Sequence, residues 1–190
     1  MIGLMSELQR YISVDIETSG PNPHDYSVLS IGACTLLKPR QTFYIELIPT
    51  SDQATAEAMA VNRLSLQELA RHGLAPEKGM RQFENWLAMV VLEQSPIFLA
   101  FNAPFDWMFV NDYFHRFRGH NPFGHAAIDI KSFYMAIAGI AWSRTSMDYI
   151  ARRYLGDRHL SHHALQDAID QADIFLHMLL EAGFEDDSKS

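Results

Sequence analysis

The sequence predicts an α/β protein in which a mixed sheet is flanked by helices. Three strand-like runs come first and are joined by short connections, which is typical of an antiparallel meander. Helical and strand-like patterns then alternate along the remaining chain, an order that favours a sheet layered against helices. At 190 residues, the chain is long enough for one domain with a substantial core.

The first three strands are predicted at residues 11–17, 28–37 and 41–48. Each is rich in apolar residues, and the prolines of residues 21–24 and 38–40 break the chain between them. Because both connections are short, neighbouring strands should run antiparallel.

The later elements follow from apolar spacing and from helix breakers. They are predicted as helices at 65–72 and 76–92, a strand at 96–102, a helix at 104–118, a strand at 126–130, and helices at 132–140, 146–155 and 161–182. Within 76–92, apolar side chains recur at helical spacing, and Pro76 suits the first helical turn because it has no N–H to donate.

Composition indicates a soluble protein of a reducing compartment. Hydrophobic residues make up 48% and charged residues 20%, and no apolar run approaches the roughly 18 residues that span a bilayer. Residues 1–10 lack the basic start and apolar stretch of a secretory signal. Cys34 is the single cysteine and is expected to be a core residue. We therefore expect a cytoplasmic protein that does not bind membranes.

The net charge of −8 argues against a broad grip on duplex DNA, which needs a basic surface. Part of this charge comes from residues 184–190, which are predicted to be a disordered acidic tail on a single domain, residues 1–190, with its core at about 10–183. The mildly acidic remainder suits a short substrate held at its end.

Two carboxylates lie side by side on the first predicted strand. Because a strand alternates its faces, Asp15 and Glu17 point to one side, opposite to Ile12, Val14 and Ile16. Adjacent carboxylates repel each other unless a proton or cation relieves them, and hard divalent metals take oxygen ligands. Taken alone, the pattern is also typical of the solvated face of an edge strand.

A third acid follows the fourth predicted strand. Sites in open α/β sheets form where strands end, so Asp106 is placed to join the first two acids, although the helix dipole alone would also favour it. Asn102 could bind a substrate hydroxyl or only shape the turn. Most of the nearby aromatic residues should be core, with one or two free to stack on a base.

The start of the last predicted helix carries His162 and Asp167, five positions apart. This spacing suits a base that reaches over a metal held by the acid one turn deeper. His163 competes because a separation of four is the better pairing on one helix face. With His159, these histidines also admit a zinc site, but the nearby hard acids disfavour zinc.

Three other acids are expected to be structural. Asp170 and Asp173 are predicted to be solvated residues of the last helix. Asp129 ends a short strand, and contact with the site is the alternative to its structural role.

Three segments together resemble the DEDD exonuclease superfamily, in the subclass with a catalytic histidine. That group includes the proofreading subunit of bacterial DNA polymerase, ribonuclease T and oligoribonuclease. Residues 14–18 (Val-Asp-Ile-Glu-Thr) resemble its first motif, residues 102–106 (Asn-Ala-Pro-Phe-Asp) its second, and residues 162–167 (His-x4-Asp) its third. The motifs occur in the family's order within about residues 10–180.

The resemblance implies a ribonuclease H-like fold with a five-stranded mixed sheet. It also implies His162, rather than His163, as general base, and the metal-site acids Asp15, Glu17, Asp106 and Asp167. Their oxygen ligands favour two Mg²⁺ or Mn²⁺ ions.

Substrate contacts are expected at Thr18, Asn102 and Phe105. One departure lies beside them, because the family often has a polar residue where this chain has Phe101. Substrate contacts at this edge are therefore open.

The expected function is metal-dependent 3′–5′ exonuclease activity on single-stranded DNA or short RNA, by a two-metal mechanism with a histidine base. The alternatives are a catalytically silent nucleic-acid-binding module and a metal phosphoesterase for small nucleotides. The presence of all four acids and the histidine counts against the silent module. A homodimer is compatible with the resemblance, because several relatives are dimers.

Overall fold

The computed structural model describes residues 7–92, 94–156 and 161–184, where five strands form one sheet in the order β3-β2-β1-β4-β5. The strands are β1 (Tyr11–Thr18), β2 (Val28–Thr35), β3 (Thr42–Glu46), β4 (Ile97–Ala100) and β5 (Ala127–Asp129). The first three pair antiparallel, whereas β4 pairs parallel with β1 and β5. The predicted mixed sheet with its antiparallel meander is confirmed. Except for Phe184, the predicted acidic tail lies outside the described residues.

Helices cover both faces of this sheet. They are α1 (Ala56–Asn62), α2 (Leu66–His72), α3 (Pro76–Val91), α4 (Ala103–Arg118), α5 (Ile130–Ala138), α6 (Met147–Tyr154) and α7 (Ala164–Glu181). A 3₁₀ turn, Trp142–Arg144, lies between α5 and α6. The sequence did not predict α1 or this turn.

The alternation of β1 separates two cores. Ile12, Val14 and Ile16 pack into one core with α3 and α4. The other core lies under α5, α6 and α7 and contains Cys34, whose thiol is fully buried as predicted. Burial raises the pKa of this thiol to about 12, which fits an inert core residue.

The face of β1 that carries the acids is covered by α7. Gly32 of β2 lies opposite Asp15, and a Cβ atom there would lie 2.2 Å from the Ala164 carbonyl carbon. The missing side chain therefore lets the first turn of α7 rest directly on the sheet. Since β1 is the central strand of the sheet and this face lies under α7, the alternative that Asp15 and Glu17 form the solvated face of an edge strand is wrong.

The prediction that Asp170 and Asp173 are solvated is wrong. Their exposed fractions are 2% and 9%, because both lie on the side of α7 that packs into the molecule. Asp170 accepts a hydrogen bond from Gln166 Nε2 at 3.1 Å. Asp173 pairs with Arg40 at 3.0 Å and with Lys38 at 3.2 Å, so cations of the β2–β3 connection balance its charge.

Asp129 has the predicted structural role. Its carboxylate caps α5 by accepting the Ser132 N–H at 3.1 Å and also accepts the Ala103 N–H at 3.1 Å. It thereby joins the end of β5 to the start of α4. Among the described residues, no helix is both long enough and apolar enough to cross a membrane.

Candidate active site

The site forms where β1 runs on past its parallel neighbour. Pairing with β4 covers only Tyr11 to Ser13, so the later residues of β1 lack a strand partner on that side. Asp106, in the first turn of α4, accepts the Ile16 N–H at 3.2 Å with Oδ1. The acid thus replaces a strand hydrogen bond and is held beside the acidic face of β1.

Three carboxylates converge at this end of the sheet. One oxygen each from Asp15, Glu17 and Asp167 lie within 4.8 Å of one another. A pocket of about 240 Å³ brings them together with Asp106 and His162. All the acids and the histidine of the three motifs therefore line one pocket.

Amide and hydroxyl donors fix two of these acids. Gln171 donates from Nε2 to Asp15 Oδ1 at 2.7 Å, while its Oε1 accepts the Phe101 N–H at 3.0 Å. Ser161 donates to Asp167 Oδ1 from both its N–H and its hydroxyl, each at 3.1 Å. The carboxylates are therefore oriented by the chain itself.

Sequence reasoning missed Gln171, which is only 2% exposed and lines the pocket. A signal was present, because Gln171 follows Asp167 by four positions and so shares its helix face. Its hydrogen-bond partner Asp15 lies on β1, far away in the sequence, and the helix pattern alone does not reveal this contact.

The acids carry strongly perturbed pKa values. Burial raises the pKa of Glu17 to about 8, and the carboxylates of Asp167 and Asp106 push it in the same direction. Burial and then the charges of Asp106, Asp167 and Glu17 raise the pKa of Asp15 well above its usual range. This repulsion is what a bound cation would relieve.

Burial also raises the pKa of Asp106, to about 8, against the opposing effect of the Ile16 N–H that it accepts. Buried, mutually repelling carboxylates with oxygen atoms this close form a donor set that fits hard divalent cations. The arrangement can support metal-assisted hydrolysis of a phosphate ester.

The two adjacent histidines lie in different surroundings. His162 has a positive φ of 51° and lines the acidic pocket. His163 is the N-cap residue of α7, and its ring stacks on Tyr44 with centroids 4.6 Å apart. His159, the third histidine of the zinc alternative, lies outside the described residues.

The predicted substrate contacts line two adjoining pockets. Asn102 has a φ of 59°, and its carbonyl accepts the Phe105 N–H at 3.0 Å, so its backbone makes the turn into α4. Both residues line the pocket. Thr18 instead donates its hydroxyl to the Gly20 carbonyl at 2.9 Å and lines an adjoining cleft.

This adjoining cleft has a volume of about 430 Å³ and is walled on one side by α1. It shares Ile16, Glu17 and Phe105 with the acidic pocket. Asn62 fixes α1 to the strand end by donating from Nδ2 to the Thr18 carbonyl at 3.0 Å. The helix that sequence reasoning missed therefore builds part of the site.

Comparison with known proteins gives a family and a relative. Residues 10–179 match the model of the 3′–5′ exoribonuclease Rv2179c-like domain. The chain is also 43% identical over 173 residues to the 3′–5′ DNA exonuclease Cap18 of Escherichia coli, covering 90% of this chain and 92% of the relative.

Solved structures share the fold at low sequence identity. The nuclease domain of 3′hExo, a DEDDh family member bound to rAMP, has a TM-score of 0.75 at 15% identity, covering 90% of this chain and 92% of that one. A 3′-exonuclease that recognises the histone mRNA stem-loop has a TM-score of 0.75 at 16% identity, and the match covers 91% of this chain but 64% of that one. The predicted ribonuclease H-like fold is confirmed.

Proposed function

This chain belongs to the Rv2179c-like 3′–5′ exoribonuclease domain family, and from this membership we propose that it removes nucleotides from single-stranded 3′ ends by two-metal hydrolysis. As a DEDD-type 3′–5′ exonuclease, it acts on nucleic acid. The histidine subclass, with His162 as general base, is part of the proposal. The observation that supports metal-dependent hydrolysis is that carboxylate oxygens of Asp15, Glu17 and Asp167 lie within 4.8 Å of one another.

The four acids would divide between two divalent ions. Asp15, Glu17 and Asp167 would hold one, and Asp15 and Asp106 would hold the second. When bound, Mg²⁺ or Mn²⁺ ions supply positive charge that stabilises the phosphate oxygens and eases the loss of a proton from water. The raised pKa values of Asp15, Glu17 and Asp106 support this assignment, because the acids repel each other until a cation balances them.

His162 would take the proton from the attacking water. Histidine exchanges its proton closest to neutral pH, which suits a general base. Its position on the pocket supports this role, as does the stacking of His163 on Tyr44 away from the pocket lining.

The cleft beside the acids would hold the nucleotide that is released. Its volume of about 430 Å³ falls in the range of small-ligand sites, and its wall of α1 limits what it accepts. Phe105 lies between this cleft and the acids and offers a ring for the terminal base. Asn102 and Thr18 would complete the substrate contacts on either side.

The names of the family and of the relative differ in whether the substrate is RNA or DNA. The family is named for exoribonuclease activity, whereas the relative with 43% identity is named a DNA exonuclease. We therefore propose single-stranded DNA and short RNA as the two substrates to compare, since their discrimination depends on how the site treats the 2′-hydroxyl.

The test is cleavage of matched 5′-labelled DNA and RNA oligonucleotides with Mg²⁺ or Mn²⁺, with and without EDTA. We expect a ladder shortened one nucleotide at a time from the 3′ end, which EDTA abolishes. Asp15→Asn should remove both cleavage and metal binding, because the Asp15 carboxylate would hold both ions. Glu77→Gln, at an exposed carboxylate of α3, is the matched control and should cleave normally.

Other outcomes would contradict the proposal. Undiminished cleavage by Asp15→Asn would locate the chemistry elsewhere. Binding of oligonucleotides without cleavage would indicate a silent module. Hydrolysis of small nucleotide esters with intact oligonucleotides would indicate a phosphoesterase.

A further inference from the structure

Trp142 is an exposed aromatic residue outside both cores. Its exposed fraction is 51%, and neither core cluster of the described residues includes it. The ammonium of Lys131 lies 4.1 Å from the centroid of its ring, within the range of a cation–π contact. An indole held by a cation at the surface, rather than buried, is suited to contact a ligand.

The chain, together with one hydrogen bond of Asp129, connects this pair to the acidic pocket. Lys131 follows Asp129 by two positions, and Asp129 accepts the Ala103 N–H at 3.1 Å. Ala103 adjoins Asn102, which lines the pocket. One hydrogen bond and a few residues of chain therefore link Lys131 to Asn102 of the pocket.

The chain gives a second, independent connection. Met147, five positions after Trp142, also lines the pocket. Since an extended chain spans at most about 3.6 Å per residue, the two Cα atoms are separated by no more than about 18 Å. A single strand leaving the pocket reaches this distance within a few nucleotides.

Trp142 is linked through the chain to the part of the acidic pocket that the α1 cleft does not share. The acidic pocket meets that cleft through Ile16, Glu17 and Phe105, whereas Asn102 and Met147 belong to the pocket alone. A phosphodiester cut at the acids has the released nucleotide on one side and the retained strand on the other. If the α1 cleft holds the released nucleotide, the retained strand leaves past Asn102 and Met147.

We propose that Trp142 and Lys131 form a binding subsite for the retained single strand, with the indole stacking on a base a few nucleotides 5′ of the cleaved bond. The proposal rests on the exonuclease function proposed above. Stacking accepts any base, which suits an enzyme that shortens a strand stepwise. Lys131 and Arg144, on the same turn as Trp142, supply positive charge for phosphates in a chain whose net charge is −8.

Two substrates separate this subsite from the catalytic centre. In the p-nitrophenyl esters of thymidine and uridine 5′-phosphate, the nitrophenyl group replaces the retained strand. Their hydrolysis by the metal-loaded protein needs the acids and the nucleotide cleft but not Trp142. An eight-nucleotide single strand of the preferred sugar needs all three.

We expect Trp142→Ala to raise KM for the eight-nucleotide strand by about tenfold or more, the size expected when one stacked base is lost. Turnover of the nitrophenyl esters should change by less than about twofold. Trp142→Phe, which keeps a stacking ring, should restore most of the affinity. Phe184→Ala, which removes an exposed aromatic ring after α7, is the matched control and should leave both substrates unchanged.

Lys131→Gln tests the charge. Removing one phosphate contact should lower the slope of log KM against log salt by about 0.7 for a single strand. An unchanged slope would exclude Lys131 from the subsite.

The outcomes distinguish the two proposals. Normal KM for the eight-nucleotide strand in Trp142→Ala would overturn the subsite, as would an equal loss on both kinds of substrate, which would indicate damage to the centre itself. Failure of the unaltered protein to cleave either substrate would instead overturn the proposed function.

Discussion

His162 and His163 are neighbours in the chain, but their side chains lie in different surroundings. The positive φ of 51° at His162 turns the backbone before α7 begins, so the two rings diverge. A non-glycine residue in this region is uncommon and is kept only where its surroundings hold it. This backbone turn is what allows one ring to line the pocket while the other stacks on Tyr44.

We predict that His162→Ala lowers kcat on a labelled oligonucleotide by about a hundredfold or more, because a general base contributes on that order. Metal affinity should stay largely intact, since all four acids remain. Steady-state kinetics and Mn²⁺ titration calorimetry measure the two effects separately.

The matched variant is His163→Ala. It loses the stack on Tyr44, so it should be somewhat less stable but should keep kcat within a few-fold. Loss of turnover in His163→Ala together with normal turnover in His162→Ala would reverse the two assignments.

At the scale of single residues, the sequence predicted those side-chain positions that depend on local backbone geometry alone. Strand alternation predicted that Asp15 and Glu17 share a face, because the period of two is a property of the backbone. It left His162 and His163 open, since the spacing along an ideal helix does not apply to a residue before the helix. Gln171 was missed because its partner Asp15 is 156 positions away.

Among the elements, the contact between β2 and α7 sets the geometry of the site. A Cβ atom at Gly32 would approach the Ala164 carbonyl carbon and the Leu165 nitrogen to 2.2 Å, and neither backbone atom can turn aside. The start of α7 carries Asp167 to the acids of β1. The separation of this helix from the sheet therefore decides whether the carboxylates meet.

Gly32→Ala should push the first turns of α7 outward. We predict at least a tenfold loss of kcat and weaker Mn²⁺ binding, because small displacements of catalytic groups are costly. The free energy of unfolding should fall by about 1–3 kcal/mol, as for other overpacked cores. Kinetics, metal titration and urea unfolding measure these quantities.

Gly79→Ala is the matched control. Gly79 lies in α3, on the other face of the sheet, and its added Cβ would lie 2.4 Å from the Leu47 side chain. It should affect stability without weakening Mn²⁺ binding. Normal metal affinity in Gly32→Ala would show that the spacing of α7 does not control the site.

Most elements could be predicted because they carry an apolar face. The strands of the meander and the amphipathic α3 show this plainly, and the structure confirms them. The short helix α1 could not be found this way, because only Asn62 among its residues is buried. It is held by the Thr55 cap and by the hydrogen bond from Asn62 to Thr18, which are contacts rather than a pattern.

At the scale of the whole molecule, buried charge links the helix layer to the far end of the meander. Asp173 of α7 pairs with Arg40 and Lys38 from the β2–β3 connection. Burial alone would raise the pKa of Asp173, but the charges of Arg40 and Lys38 outweigh it and hold the pKa below its usual range.

A carboxyl whose pKa is lowered by folding stabilises the folded state above its unfolded pKa, and this stabilisation is lost as the pH falls through the folded value. We predict that Asp173→Asn lowers the free energy of unfolding at pH 7 by about 1–3 kcal/mol. The difference from the unaltered protein should shrink as the pH falls below about 4, where an ordinary aspartate becomes protonated.

Urea unfolding at pH 7 and at pH 3.5 measures this difference. Asp52→Asn, at an exposed acid, is the control and should have little effect at either pH. A deficit of equal size at both pH values would show that the ion pair is not its source.

The fold class as a whole was predictable, since layering follows from the order of strands and helices. The depth at which α7 sits was not, so Asp170 and Asp173 were predicted to be solvated. Burial of a helix face is decided by the packing of distant elements, and a run of acids on a helix gives no sign of partners such as Arg40. The rule that sites form where strands end placed Asp106 beside the first two acids, whereas the complete set of four acids came from the resemblance to a family.

The central position of β1 has a consequence for how the chain avoids misfolding. A slip of one residue in the pairing of this strand would exchange its two faces. Asp15 and Glu17 would then be forced among the aromatic rings beneath α3 and α4, without hydrogen-bond partners. The same pair of acids that we propose as metal ligands thus penalises the wrong alignment, and a variant that neutralises both should be more prone to off-register, aggregating forms.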